Sequence, residues 1–454
     1  MQKANSQKEM DLIVEKLVYG GYGLARSQDK IIMVENAYPQ EHVKVIPKKT
    51  GKNLMFAEVK EIIKPSTYRI QPNCNHFPTC GGCNWLDLKY EQQLIAKTNI
   101  VKEQTERIGK ISNFYVKDII GSEIICEYRN RMEYTFQFDQ KNQEFKLGLM
   151  QNDSKNVVDL QKCLISPHIF NKIRNQTKDF FQKLNLEIYS DRKNRGVLKY
   201  LVLRKSFSFN QIMVIIVTHT EYLPFQKEIT DFFRENFKIY SLIHLMNSSK
   251  NIVLRGPYKT LYGEGLIQEQ FDNFKFQIPP TSFFQSNYNV TKKLLGYLLD
   301  YFKDRVSYSD TLLDLFSGVG LFSIYFSSLF KEIESIENSK VSYKAAIANS
   351  HINAIKNIRF YHDTVENFVN NSVDKKFDYI ILDPPRKGIS QNEINKISSI
   401  VKKAVVYVSC DPSTLLRDIN AFLSNGLKLK VIQPFDMFPH SFHIENVAIL
   451  EKNN

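Results

Sequence analysis

The chain has 454 residues, with 61 Lys+Arg against 48 Asp+Glu and a net charge of +13. At that length one core is not enough, so two or three domains are expected, and 43% hydrophobic content is ample to pack them. No apolar run approaches the roughly 18–20 residues of a membrane span, and MQKANSQKEMDLIVEKL lacks the charged-then-apolar pattern of a secretory leader. A soluble, cytoplasmic protein is expected. The basic excess suits a polyanionic partner, most simply nucleic acid; an AT-rich genome is the bland alternative source of lysine.

Residues 5–64 read as a small β-barrel. DLIVEKLVY, KIIMVENA, HVKVIPKK and LMFAEVKEII are short strands, separated by the glycines of YGGYGLAR and the turn KKTGKN. Lys44, Lys48, Lys49, Lys52, Lys60 and Lys64 make it basic, as an RNA-binding barrel would be. A barrel that merely caps its neighbour is the alternative. Residues 65–270 read as a mixed α+β central domain, with a helix over Leu88–Ile108 and strands at RMEYTFQFD, FKLGLM and QIMVIIVTHT. Three of the six cysteines, Cys74, Cys80 and Cys83, fall within ten residues. With the distant Cys163 of DLQKCLIS they make a set of four thiols. Disulfides are not expected in a reducing compartment. By spacing, zinc and a [4Fe–4S] cluster are both open, although zinc usually takes two close cysteine pairs and only one exists here. Cys126 belongs to no pattern and is expected to be a buried apolar residue.

Residues 271–454 change rhythm. TLLDLF, EIESIE, IRFYH, YIILDPP and AVVYVSC are apolar strands separated by helical stretches, which predicts an α/β domain with a doubly wound, mostly parallel sheet. LLDLFSGVGLFSI places a D-x-F-x-G-x-G turn between a strand and a helix. Glu337 ends the next strand, where an acid accepts from ribose hydroxyls. Asp363 follows the third strand and is placed to meet an adenine edge; Asp383 follows the fourth. One acid alone is as well explained as a helix cap. Acids at successive carboxyl ends converge on one crevice, as in class I methyltransferase domains that bind S-adenosylmethionine. In DPPR, Arg386 replaces the aromatic residue found in methyltransferases that act on exocyclic amines, which argues against that chemistry.

AVVYVSCDPSTLLRD ends an apolar strand on Cys410 at the same crevice. Pro412 stops the strand, and a helix starting near Ser413 or Thr414 is expected to lower the thiol pKa. A thiolate beside a methyl donor has a use on pyrimidines. Its addition to carbon 6 makes carbon 5 nucleophilic. A base must then remove the carbon 5 hydrogen. His443 and Glu445, in FDMFPHSFHIENVAIL, are both candidates for that base.

With these residues assembled, the chain resembles the S-adenosylmethionine-dependent RNA uracil-C5 methyltransferases, in particular the bacterial 23S ribosomal RNA branch. The resemblance runs along nearly the whole chain: the N-terminal barrel corresponds to a TRAM domain, CNHFPTCGGC with Cys163 to an iron–sulfur module, and FFQSN, DLFSGVG, LDPPRKG, YVSCDPSTLLRD and DMFPHSFHIE to the methyltransferase motifs in order. It implies Cys410 as nucleophile and Glu445 as base. It implies Gln285, Phe316, Glu337, Asp363 and Asp383 as cofactor-binding positions, and Cys74, Cys80, Cys83 and Cys163 as ligands of a structural [4Fe–4S] cluster. Asp411 stands where the family commonly has Asn and would set a negative charge beside the thiolate. The implied partner is 23S ribosomal RNA with the target uridine flipped out; no membrane or protein partner is implied, and a monomer is expected. The alternatives are the same reaction on transfer RNA, cytosine-C5 methylation, which the S-C context disfavours, and a non-catalytic RNA-binding assembly factor.

Overall fold

The computed structural model describes residues 9–27, 30–111, 115–152, 154–249 and 253–452. Residues 5–8 and 453–454, at the outer ends of the expected first and last domains, lie outside the described residues. Three many-stranded sheets follow one another along the chain.

The first sheet has six strands, ordered Met10–Ile13, His42–Thr50, Leu54–Lys64, Lys30–Glu35, Gly23–Ser27 and Lys16–Leu17. The stretch DLIVEKLVY yields two strands instead of one. Val14 leaves the ladder to exchange backbone hydrogen bonds with Glu41 and Gln40, both at 2.9 Å. Inside, Val43, Val45, Val34 and Ala57 are fully buried. The lysines outside are less free than their number suggests. Lys48 pairs with Glu35 at 2.9 Å and Glu58 at 3.2 Å, Lys44 with Glu61 at 3.8 Å, and Lys60 with Glu9.

The second sheet has seven strands, with Leu198–Lys205 between Ile212–Thr218 and Arg131–Asp139. IMVIIVT is buried on both faces, which explains why it is apolar without alternation. Helices His168–Lys183 and Gln226–Asn236 cover one face through Phe170, Phe181, Ile229 and Phe233. The other face packs on the hairpin Ile267–Phe271/Phe274–Ile278.

The third sheet runs Ile358–His362, Glu332–Glu337, Thr311–Leu315, Phe377–Leu382, Val401–Ser409, Glu445–Lys452, Leu427–Phe435. The first five are parallel, and Glu445–Lys452 is antiparallel to both its neighbours. This is the expected α/β class, with a doubly wound, mostly parallel sheet.

The helix expected over Leu88–Ile108 forms as Tyr90–Arg107. It does not sit with the second sheet, although the expected boundaries would group them. Trp85, Leu88, Ile100 and Val101 pack into the core of the third sheet instead. A fully buried ion pair fastens the helix there: Lys97 Nζ lies 2.5 Å from Asp436 Oδ1 and donates to Phe438 O at 3.1 Å. Tyr90 donates to the other Asp436 oxygen at 2.7 Å. Among the described residues, no helix is long and apolar enough to cross a membrane.

Removing one partner of such a pair strands the other charge. Asp436→Ala is expected to lower the unfolding free energy by about 3–5 kcal/mol in urea denaturation. The apolar double variant Lys97→Met/Asp436→Leu should recover most of it. A loss below about 1 kcal/mol for Asp436→Ala would show that the pair behaves like a surface one.

Candidate active site

Parallel strands deliver their carboxyl ends to one edge, and the candidate residues gather there. In the turn after Thr311–Leu315, Phe316 and Gly318 both have positive φ, 64° and 58°. A Cβ on Gly318 would meet nothing within 4 Å, so its backbone faces open space. Glu337 accepts from Gly318 N at 2.9 Å and Ser339 N at 2.6 Å, which fixes its carboxylate at the turn. Asp363 is half-buried one strand over and accepts from Thr364 N at 2.8 Å. Gln285 is buried and donates to Asp383 Oδ2 at 3.2 Å. Ser317, to which the sequence assigned no role, ties the turn to the next strand through Ile336 O.

The sequence reading also left Asp314 without a role. It is fully buried and accepts from Ser323 N at 3.0 Å through Oδ2, while its Oδ1 has no hydrogen-bond partner among the described residues. Burial pushes both Asp314 and Asp383 up to about 7, Asp314 being lifted further by Glu337 and Asp383 by Asp314. The signal for Asp314 was present as the first acid of DLFSGVG.

Cys410 and Glu445 meet because of strand direction. Ser409 is registered against Asn446 in the antiparallel pair, so the residue after one faces the residue before the other. Their electrostatic coupling reflects this. Burial and the neighbouring Glu445 carboxylate push the Cys410 thiol up to about 11, with Arg386 pulling the other way. Burial, then Asp383, hold Glu445 well above the usual carboxylate range, again opposed by Arg386.

The expectation of a lowered thiol pKa is therefore overturned. The helix starts at Pro412, one residue earlier than expected, with Asp411 as its cap. Asp411 accepts from Thr414 N at 2.9 Å and from Tyr19 OH at 3.3 Å. Its carboxylate takes up the helix N-terminus that was expected to act on the thiol, and burial dominates what remains. The other candidate base, His443, is half-buried, and burial with Arg386, Lys97 and Arg129 nearby draws it down to about 4. Arg386, used in the sequence only to exclude amine chemistry, is the cation nearest the question of thiol ionisation. Its loop is held by Asp418, which accepts from Ile389 N at 3.1 Å and Tyr407 OH at 2.7 Å.

Cys74, Cys80, Cys83 and Cys163 line one small cavity with Leu149 and Leu160. Burial and the other sulfurs raise the thiols of Cys80 and Cys83. Among the described residues, no set of three or more His, Cys, Asp or Glu side chains stands close enough to hold a single metal ion. Cys126 is exposed, contrary to expectation. It sits outside any helix or strand, beside Ile124, which is also exposed.

The family described as tRNA (Uracil-5-)-methyltransferase matches residues 89–453. The chain is 42% identical over 444 residues to an "Uncharacterized RNA methyltransferase" of Thermotoga maritima, covering 97% of this chain and 98% of the relative. It is 31% identical to one of Clostridium tetani, covering 95% and 93%. Its fold is similar to the crystal structure of Pyrococcus abyssi tRNA (uracil-54, C5)-methyltransferase in complex with S-adenosyl-L-homocysteine, at a TM-score of 0.75 and 25% identity, covering 98% of this chain and 100% of that one. A turn open to a ligand, acids at successive strand ends and a thiol facing a carboxylate thus lie in a chain that belongs to the S-adenosylmethionine-dependent RNA (uracil-5-)-methyltransferase family.

Proposed function

We propose that this enzyme methylates carbon 5 of a uridine in 23S ribosomal RNA through a covalent adduct on Cys410. The observation that carries the reading is the juxtaposition of Cys410 and Glu445 across the antiparallel strand pair. The Cys410 thiolate adds to carbon 6, and the electron pair moves into the ring as an enolate. Carbon 5 would take the methyl group as the donor's methyl–sulfur bond breaks, its electron pair staying on the sulfur of the departing thioether. Glu445 then accepts the carbon 5 proton, the carbon 6–sulfur bond breaks, and the thiolate is regenerated. S-adenosylmethionine supplies the methyl electrophile when bound. Phe316, Glu337, Asp363, Gln285 and Asp383 are the residues that would hold it, and Asp383, which accepts from Gln285, would also touch the uracil. Glu445 suits the base role better than His443. A group near pH 4 is a weak base, whereas a carboxylate lifted by burial accepts a proton far more readily. Arg386 is read as the group that favours the thiolate.

The ribosomal substrate rests on the resemblance, which associates the N-terminal sheet and the four cysteines with that branch. Likeness to the Pyrococcus abyssi transfer-RNA enzyme extends over the same parts of the chain and favours transfer RNA as the second reading. The reading of the four cysteines as ligands of a [4Fe–4S] cluster rests on the resemblance; they line one small apolar cavity, and among the described residues they form no set that would hold a single metal ion. Such a cluster would have a structural role, joining the 74–83 loop to the second sheet.

Tritium release from RNA labelled at uracil carbon 5 tests the reaction. Cofactor-dependent release from unmodified 23S RNA, abolished in Cys410→Ala, is expected. Release from transfer RNA alone would move the substrate to the second reading. Glu445→Gln should trap the protein–RNA adduct, visible as a band that survives denaturing electrophoresis; normal turnover by that variant would remove Glu445 from the base role.

The thiol itself can be titrated. With its pKa near 11, Cys410 is mostly protonated at neutral pH, and the thiolate fraction grows as pH rises. Alkylation of Cys410 by iodoacetamide should therefore accelerate about tenfold per unit between pH 7 and 9. Arg386→Gln removes the opposing guanidinium and should slow alkylation at any pH in that range. A rate independent of pH would mean that the thiol is already ionised.

A further inference from the structure

A cavity of about 420 Å³ shares Arg386 with the surroundings of the Cys410 thiol, and it is lined by more positive charge than its own acids balance. Arg129, Arg131 and Arg386 face it, with Glu133 the carboxylate among its lining residues. Arg131 pairs with Glu133 through one terminal nitrogen. The Nε atoms of Arg129 and Arg131 are buried without a partner, and the Arg129 guanidinium makes no hydrogen bond or ion pair among the described residues. Behind them, Arg204 stands directly opposite Arg131 across the strand pair. It is 3% exposed, and its terminal nitrogens are committed to the carbonyls of Pro279 and Ser282. Like charges opposed across a sheet repel, and unpaired buried guanidinium nitrogens are costly. Strand register, not solvation, holds this cluster together.

An anion of fixed position relieves both costs, and the surroundings specify which kind. Arg386 belongs at once to this cavity and to the thiol's environment. Phe283, 58% exposed, stands at the rim as a face for a base to stack on. The volume is that of a site for a nucleotide-sized ligand. We propose that the cavity is a phosphodiester site: Arg129 and Arg131 hold a backbone phosphate of the RNA strand that carries the target uridine, next to the nucleotide whose base reaches Cys410. This inference rests on the reading of RNA as substrate. It assigns the guanidiniums a positioning task, delivering the strand in the orientation that the thiol requires, while the bases are read elsewhere.

The test is equilibrium binding by the full chain of a fluorescein-labelled, uridine-containing oligoribonucleotide of 23S sequence, over a range of KCl concentrations and without turnover. Each lost phosphate contact should reduce the slope of log K against log salt by about 0.7 for a single strand. That drop is expected for Arg129→Gln and for Arg131→Gln, while Arg131→Lys keeps the slope. Replacing the flanking phosphate by a neutral methylphosphonate should abolish the difference between wild type and variants. S-adenosylmethionine affinity, measured in parallel, reports folding and should not change. Slopes unaltered in both Gln variants with cofactor affinity intact would overturn the proposal. So would a loss confined to cofactor affinity, which would assign the guanidiniums to the cofactor carboxylate. Should the Gln variants not fold, Glu133→Gln decides: removing the competing carboxylate should tighten RNA binding, and unchanged or weaker binding counts against the site. Because no step of catalysis is read, a failed tritium experiment with these slope changes present would sink the C5 reaction and leave the phosphate site standing.

Discussion

The chemistry depends on one reversal of strand direction. Parallel strands bring their carboxyl ends to a common edge, and that alone gathers the glycine turn, Glu337, Asp363, Asp383 and Cys410. It cannot supply a residue that enters the edge from the following chain. The final strand does so by running antiparallel, so it must begin where Val401–Ser409 ends. Glu445 is its first residue and Cys410 follows its neighbour's last. A parallel final strand would begin at the opposite edge of the sheet and leave the thiol without its carboxylate.

The site created in this way is electrostatically costly. Asp314, Asp383 and Glu445 are all raised, first by burial and then by a neighbouring acid (Glu337, Asp314 and Asp383 respectively), and the thiol is raised by burial and Glu445. An acidic, poorly solvated edge disfavours a further negative charge and favours a cation, which is the charge a sulfonium methyl donor carries. Arg386 is the resident counterweight: it lowers both Cys410 and Glu445. Its position depends on the DPPRKG turn closing against the helix that follows Cys410, where Gly388 at φ 71° leaves no room for a side chain beside Asp418. Sulfur, base and guanidinium are thereby set by one packed unit.

Much of this was legible in the sequence where the signal is local. Apolar runs ending in an acid or a thiol marked the strand ends within a residue or two, because a strand buried on both faces has nothing else to be made of. Long-range facts were not legible. Nothing in YEQQLIAKTNIVKEQTER says that Lys97 is buried, because its partner Asp436 is supplied by a loop far along the chain. The lysines of the first sheet looked like free charge because their acids sit on other strands of the same sheet. The thiol pKa was misjudged because burial and the Glu445 carboxylate, supplied by another strand, push it up, and neither is visible in the local stretch around Cys410. Cys126 was misjudged because hydrophobicity alone was weighed, in a loop where even Ile124 is exposed. The arginine cluster becomes visible only with the register that sets Arg131 against Arg204.

The loop leading to Glu445 is where these long-range ties converge. Asp436 is held by Lys97 and Tyr90 of the helix Tyr90–Arg107. His440 O accepts from Asn84 N at 2.9 Å and Trp85 N at 3.0 Å, directly after the cysteine loop. Gln93 donates to Trp85 O at 2.9 Å and accepts from His440 N at the same distance, and Tyr128 donates to Pro439 O at 3.1 Å. These are backbone carbonyls and amides of a loop with no helix or strand of its own, satisfied from outside it. Each bond removes freedom that the base would otherwise have relative to Cys410, and a base tolerates little misplacement. The segments that supply them come from 84–128, well before the methyltransferase sheet in the chain. The early part of the sequence therefore does more than flank the catalytic sheet: without it the sheet would still present the thiol, but the loop that carries the carboxylate would lack most of its anchors.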